Sequence, residues 1–312
     1  MEQSEALEYF PKRVHVGTAE PDKLKMLVCA PPKWGKTTFA TGCPNVLLIA
    51  FEEGHRFAEC HKVVINNWVV PYKDQAPKID NDGIIYCSAM EIIEALEAAG
   101  DECPYRAIIM DTVDMAVKMS TVHELAKAKL AYPSDGGDYG KGWSLLQTTP
   151  FRRYYNRFVK LGLGIICTTH IKEEWKADKN GIIQYRREST LPGKVQEFLH
   201  TQSDVIINGS FGGRKRPRKG MQYRDRIVSF DGTDEIMAGT RITRVYLPNK
   251  YIMAAPSHGN YDAPWKQWVN FFADSPRAGE AAQEEYNQIF GLNDETLSEA
   301  AKEAKEKQKQ QK

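Results

Sequence analysis

The sequence predicts an α/β protein: a mostly parallel sheet flanked by helices, followed by C-terminal strands and a charged tail. Three observations predict it. Short, fully apolar runs recur through the first half of the chain, helical segments separate them, and the first run leads straight into a phosphate-loop pattern. Residues 24–275 carry this core, preceded by an N-terminal extension (1–23) and followed by a C-terminal helix and charged, flexible tail (276–312). A chain of 312 residues with 42% hydrophobic content is long enough for one large domain with appendages.

The elements follow in order. Residues 24–29, 46–51, 107–111 and 164–169 are apolar along their length, as strands covered on both faces are. Ser88 and Glu91 have the spacing of a capping box, which opens a helix running to residue 99. Residues 114–130 and 143–161 read as longer helices. After residue 169 the chain turns polar, and 172–190 reads as a hairpin or mobile loop around Asn180-Gly181. Residues 205–210, 222–230 and 242–247 read as further strands, and the aromatic segment 263–273 as a helix packed on the core. From Asp294 the tail carries five acids and five lysines with almost no large apolar residue, which suits a solvated tether.

Composition narrows the function classes. Lys and Arg (42) nearly balance Asp and Glu (41), so a nucleic-acid surface has to be local. The six cysteines form no CxxC pair, and Cys29, Cys87 and Cys167 lie in apolar stretches as reduced core residues. The N-terminus is acidic without an apolar core, and no apolar run is long enough to span a bilayer. These features predict a cytoplasmic protein without a membrane partner, in a bacterial host cell if the gene is viral.

Residues Ala30, Pro31, Pro32, Lys33, Trp34, Gly35, Lys36 and Thr37 match GxxxxGK(S/T) at every defining position except the first, where Ala replaces Gly. The match follows an apolar strand and precedes a helix, the context the pattern requires. Backbone N–H groups from Lys33 to Thr37 surround a β-phosphate, and Gly35 lets the backbone approach it. Lys36 reaches the β- and γ-oxygens, the Thr37 hydroxyl ligates Mg²⁺, and Thr38 continues the nucleotide-binding segment. ATP and Mg²⁺ are therefore the expected cofactors. If position 30 needs a positive φ, alanine there costs about 1 kcal/mol.

Acidic residues stand where a magnesium nucleotide needs them. Four apolar residues end in Asp111, the expected Mg²⁺-side carboxylate, which also suits a helix N-cap. The second strand ends in Glu52 and Glu53, at the carboxyl edge where ligands of open sheets sit. Glu53 is preferred as the base for an attacking water, and spacing leaves Glu52 open. His170 ends the fourth strand on the same edge and suits γ-phosphate sensing by hydrogen bonding.

Together these residues resemble a RecA-like ATPase, most closely the compact phage-encoded branch associated with single-strand annealing and recombination. The elements that carry the resemblance are "PKWGKTTFA", "FEEGH", "IIMDTVD", "YGKGW", "TTHIKEE" and the late "AGTR", spread over residues 24–247. It implies a catalytic base at Glu53, a γ-phosphate sensor at His170, and an arginine finger acting across a subunit interface. Arg241 is the candidate finger, with Arg244 next. It also implies a homo-oligomer, ring or filament, with ATP between subunits.

Two basic loops with aromatics suit single-stranded DNA, since cations displace counterions and aromatic rings stack bases. The first holds Arg214, Lys215, Arg216, Arg218 and Lys219, with Tyr223, Arg224 and Arg226 beyond. The second holds Lys172, Trp175, Lys176, Arg186 and Arg187 and follows the His170 strand, where RecA-like proteins place a DNA-contacting loop. The reading is a DNA-stimulated ATPase that binds single-stranded DNA and promotes annealing or strand exchange in phage recombination. The rival is a nucleotide-switched interaction module, a loader or packaging partner docking a protein through its tail. A small-molecule kinase is a third class, for which the chain offers no acceptor-site constellation.

Overall fold

Side-chain alternation in the buried strands divides the core into two layers, one on each face of a single sheet. The computed structural model describes residues 20–69, 78–130, 141–177, 183–218, 221–230, 232, 238–242, 245, 247–257 and 259–273. The main elements are β1 (Lys25–Cys29), α1 (Lys36–Thr41), β2 (Val46–Ala50), β3 (His61–Asn67), β4 (Lys78–Ile79), β5 (Ile85–Ser88) and α2 (Ala89–Ala99). Then come β6 (Ala107–Asp111), α3 (Val113–Ala128), α4 (Lys141–Lys160), β7 (Gly164–Thr169), β8 (Ile171–Ala177), β9 (Ile183–Ser189) and α5 (Gly193–Gln202). The chain continues through β10 (Val205–Arg218), β11 (Met221–Ser229), β12 (Gly239–Thr240), β13 (Lys250–Ile252) and α6 (Ala263–Ala273).

Leu27 and Cys29 of β1 face the layer containing α2, α3, α4 and α5, while Met26 and Val28 face α1 and α6. On α4, Phe151, Tyr154, Tyr155 and Phe158 have the spacing of one helical face, and all four are buried. On α6, Trp265, Trp268 and Phe271 are buried, the two tryptophans against Phe39 of α1 and Phe271 against Tyr251. The two helices meet closely at Gly42, where a Cβ would lie 2.6 Å from that of Trp265. The capping box forms as expected: Glu91 N–H donates to Ser88 Oγ at 3.2 Å, and Ser88 N–H to Glu91 Oε2 at 2.7 Å.

The fold is α/β with a mostly parallel sheet flanked by helices. The sheet runs β13-β11-β10-β1-β7-β6-β2-β3-β5-β4, with β12 added beside β10. From β10 to β5 every pairing is parallel, so all these strands end on one edge. β7 lies between β1 and β6, and α1 crosses above it. This places the ends of β1 and β6 about 10 Å apart, a gap that one short helix spans.

Of the two alternatives expected for 172–190, the hairpin is the one that forms: β8 and β9 pair antiparallel, outside the main sheet. Other expectations change. The strand expected at 205–210 runs on to Arg218. The strand expected at 242–247 does not form among the described residues there, and the edge strand is β13 instead. β3, β5 and α5 were not anticipated. β3 alternates exposed and buried residues and is interrupted by polar side chains, so it lacks the continuous apolar run of its neighbours. The tail lies outside the described residues. No described helix is long and apolar enough to cross a membrane.

Candidate functional site

The segment from Ala30 to Gly35 leaves the carboxyl end of β1, curls back and enters α1. Two left-handed residues make the curl, Lys33 at φ 63° and Gly35 at φ 103°. The strain falls on Lys33, at about 1–2 kcal/mol for a residue with a Cβ. Ala30 has no positive φ, so the cost considered for alanine there does not arise. Its methyl fits because Gly209 faces it, where a Cβ would lie 2.7 Å from that of Ala30. Trp34 is fully buried and donates from Nε1 to the Ser210 carbonyl at 3.0 Å. It therefore anchors the loop to β10 and can offer a nucleotide only its backbone.

Backbone donors converge in the loop. The Trp34 N–H turns to Pro31 O at 3.3 Å, whereas the N–H groups of Lys33, Gly35, Lys36 and Thr37 have no acceptor among the described residues. Open donors at a helix start form an anion cradle. Pro32 and Lys33 are exposed, and Thr37 and Thr38 line a cavity of about 480 Å³ beside the loop.

Lys36 is buried, and its Nζ lies 3.0 Å from Ala30 O, 3.4 Å from Pro31 O and 3.1 Å from His170 Nδ1. Burial pushes its pKa down, opposed chiefly by the Asp111 and Glu52 carboxylates. Lys36 donates to Nδ1, so a neutral His170 carries its proton on Nε2, which lies 3.7 Å from Glu52 Oε1. Glu52 also accepts from the Thr112 hydroxyl at 3.4 Å. The neighbouring His170 imidazole is the main reason its pKa falls below the usual range.

Thr37 Oγ1 donates to Asp111 Oδ2 at 2.7 Å, and the Thr168 hydroxyl donates to the other Asp111 oxygen. A hydroxyl beside a carboxylate is a hard-oxygen donor set of the kind Mg²⁺ takes when phosphates and waters complete its shell. Cys29, at the end of β1, is pushed up to about 12 by burial and remains a thiol.

Of the two candidate bases, the structure brings Glu52 into the cluster. Glu53 is exposed at the head of a 3-10 turn, and its side chain has no partner among the described residues. Arg241 lies at the opposite edge of the sheet. Its N–H bonds Asp204 O at 2.8 Å, and the Asp204 N–H bonds Lys25 O at 2.7 Å. The five residues of β1 place it about 16 Å from the loop, so it does not reach the site of its own subunit. Arg244 lies outside the described residues.

The basic positions divide. Lys172 is exposed at the start of β8, whereas Arg187 is buried and donates to Gly209 O at 3.1 Å, which corrects its placement on a nucleic-acid face. The side chains of Trp175, Lys176, Arg186, Arg214, Lys215, Arg216 and Arg218 lie outside the described residues, as does all of Lys219.

Two residues escaped the sequence reading. Asp114, in the first turn of α3, accepts from the Thr169 hydroxyl at 3.1 Å, from the His170 N–H at 3.3 Å and from the Thr190 hydroxyl. The only available signal was an acid in a helix's first turn. Thr168 lies at the end of an apolar strand, where the sequence carries no signal that its hydroxyl meets Asp111.

A protein-family model described as an AAA domain (AAA_24) matches residues 22–242. The chain belongs to this AAA-domain family. The match contains the phosphate loop, Glu52, Asp111 and His170, so the cluster is that of a P-loop NTPase. No curated protein sequence matches. Among solved structures, the AAA domain compares with the KaiC-like protein PH0186 from the hyperthermophilic archaeon Pyrococcus horikoshii OT3. Identity is 10% and the TM-score 0.37, over 75% of this chain and 86% of that one, a distant likeness of arrangement only.

Proposed function

We propose that the chain binds and hydrolyses Mg-ATP in a RecA-like manner and couples this to single-stranded DNA, promoting annealing or strand exchange in phage recombination. One observation supports the nucleotide chemistry above all others: Lys36, His170 and Glu52 form a continuous chain beside the Thr37–Asp111 pair, at the mouth of a loop with open N–H donors. In this reading the phosphates draw Lys36 away from the Ala30 and Pro31 carbonyls. Thr37 and Asp111 hold Mg²⁺, which supplies charge neutralisation on the phosphate oxygens. Glu52, already ionised, accepts the proton of the attacking water, and His170 donates to the γ-phosphate from its strand end.

The DNA coupling is supported by the β8–β9 hairpin. It begins one residue after His170 and ends beside Thr190, and Asp114 bonds both ends. A change at His170 is therefore carried to a hairpin bearing Lys172. Arg241 acts, in this reading, from a second copy in a ring or filament.

The test is ATP hydrolysis by the full chain with and without single-stranded DNA, with Lys36→Ala as the blank. A Lys36-dependent rate raised several-fold by DNA supports the reading. A Lys36-dependent rate indifferent to DNA keeps the NTPase and moves the output to a protein partner. A rate unchanged in Lys36→Ala removes the phosphate-loop assignment.

A further inference from the structure

Arginines taken out of water need acceptors, because a guanidinium without one carries an uncompensated desolvation penalty. Three described arginines are not exposed: Arg157, Arg187 and Arg226. Arg157 is paired with Glu97, donating from Nε at 2.7 Å, and Arg187 donates to Gly209 O at 3.1 Å. Arg226 has neither a hydrogen bond nor an ion pair from its side chain among the described residues. The only resolved influence on its pKa is loss of water, which lowers it, with no carboxylate contribution.

Its position suggests what is missing. Arg226 lies at the root of the β10–β11 hairpin, opposite Phe211, with its carbonyl fixed by the Met253 N–H at 2.8 Å. Its guanidinium rests on Gly35, the residue before Lys36: a Cβ built there would lie 3.2 Å from Nη1 and 3.4 Å from Cζ. The Met253 methyl also lies 3.4 Å from that point. A planar fork held against a phosphate loop, with its donors uncommitted, matches the geometry by which arginine binds phosphate in a bidentate manner.

We propose that Arg226 is a phosphate ligand supplied by the same subunit, contacting the phosphate chain of the nucleotide held by the loop. This rests on the nucleotide reading above. It separates Arg226 from the basic residues further along the hairpin, with which the sequence groups it.

The test uses the full chain with Mg-ATPγS and Mg-ADP in calorimetric titrations, together with thermal unfolding of the ligand-free protein. The variants are Arg226→Gln and Arg226→Lys, with Lys36→Ala as the control for the loop. Arg226→Gln is expected to weaken ATPγS binding about 10- to 100-fold, the range for one charge-assisted contact, with Arg226→Lys in between. The ligand-free Tm of Arg226→Gln is expected to hold or rise, since an unpartnered cation is removed. The proposal is overturned if Arg226→Gln binds ATPγS within two-fold of wild type while Lys36→Ala does not. It is equally overturned if the ligand-free Tm falls along with affinity and Arg226→Lys restores neither, which marks a structural role. Loss of single-stranded DNA affinity with nucleotide affinity intact reassigns Arg226 to the DNA backbone. If the wild type itself fails to bind ATPγS, the nucleotide reading falls and this inference with it.

Discussion

Glu52 and Glu53 are adjacent acids of the same chemistry, yet only one of them meets His170. The difference arises because β2 ends at Ala50 and the chain stays extended through Glu52 before bending into the turn headed by Glu53. Glu52→Gln is expected to lower kcat about 100- to 10,000-fold with nucleotide affinity largely kept, whereas Glu53→Gln leaves kcat within a few-fold. Steady-state hydrolysis of the two variants checks this. Glu52 also makes stability depend on pH. Its folded pKa lies below the ordinary 4.5, so its interactions with His170 and Thr112 contribute fully above that value and are lost as pH falls through the lowered one. Acid unfolding of Glu52→Gln should therefore be shallower than that of wild type when Tm is followed from neutral to acid pH. At this scale the phosphate loop was legible because its residues are contiguous and each has a separate task. The Glu52/Glu53 choice, Asp114 and Arg226 were not, because each depends on where a neighbouring backbone bends or which strand runs alongside.

At the scale of elements, strands covered on both faces declared themselves and the partly exposed ones did not. β6 and β7 fall where their apolar runs predict, while β3 reaches the core through only two buried side chains. The α1–α6 contact was legible as aromatic spacing but not as a partnership. Trp268 packs on Phe39, Phe230 and Phe272 and is fully buried, so Trp268→Ala should cost about 3–5 kcal/mol in denaturant unfolding. At the base of the hairpin β8–β9 one carboxylate bonds both strands' ends. Asp114→Ala removes the acceptor for Thr169, Thr190 and the His170 N–H together, and hydrogen exchange of the hairpin amides should accelerate markedly while β6 stays protected. If hairpin exchange is unchanged in Asp114→Ala, the carboxylate does not hold the hairpin.

For the whole molecule, the sheet places the phosphate loop at one edge and Arg241 at the other. A reaction that needs both therefore needs two copies. Arg241→Ala and Lys36→Ala are each expected to be inactive alone and to recover part of the rate when mixed, because one supplies the loop and the other the arginine. No recovery on mixing, with both variants assembling normally, removes Arg241 from the reaction. The overall architecture was legible because alternating apolar strands and helices leave few alternatives once the first strand carries a phosphate loop. Beyond β10 the strand at 222–230 was legible as β11, but β13 and the antiparallel pairing were not, since pairing partners are encoded by no periodicity.

Trp34 sits inside the phosphate loop, yet its indole is sealed from solvent and tied to Ser210. An indole so placed responds optically to small movements of its surroundings. The protein thus carries its own spectroscopic probe at the root of β10: occupancy of the loop should appear as a change in tryptophan emission that vanishes in Trp34→Phe. Nucleotide arrival could then be timed in unlabelled protein.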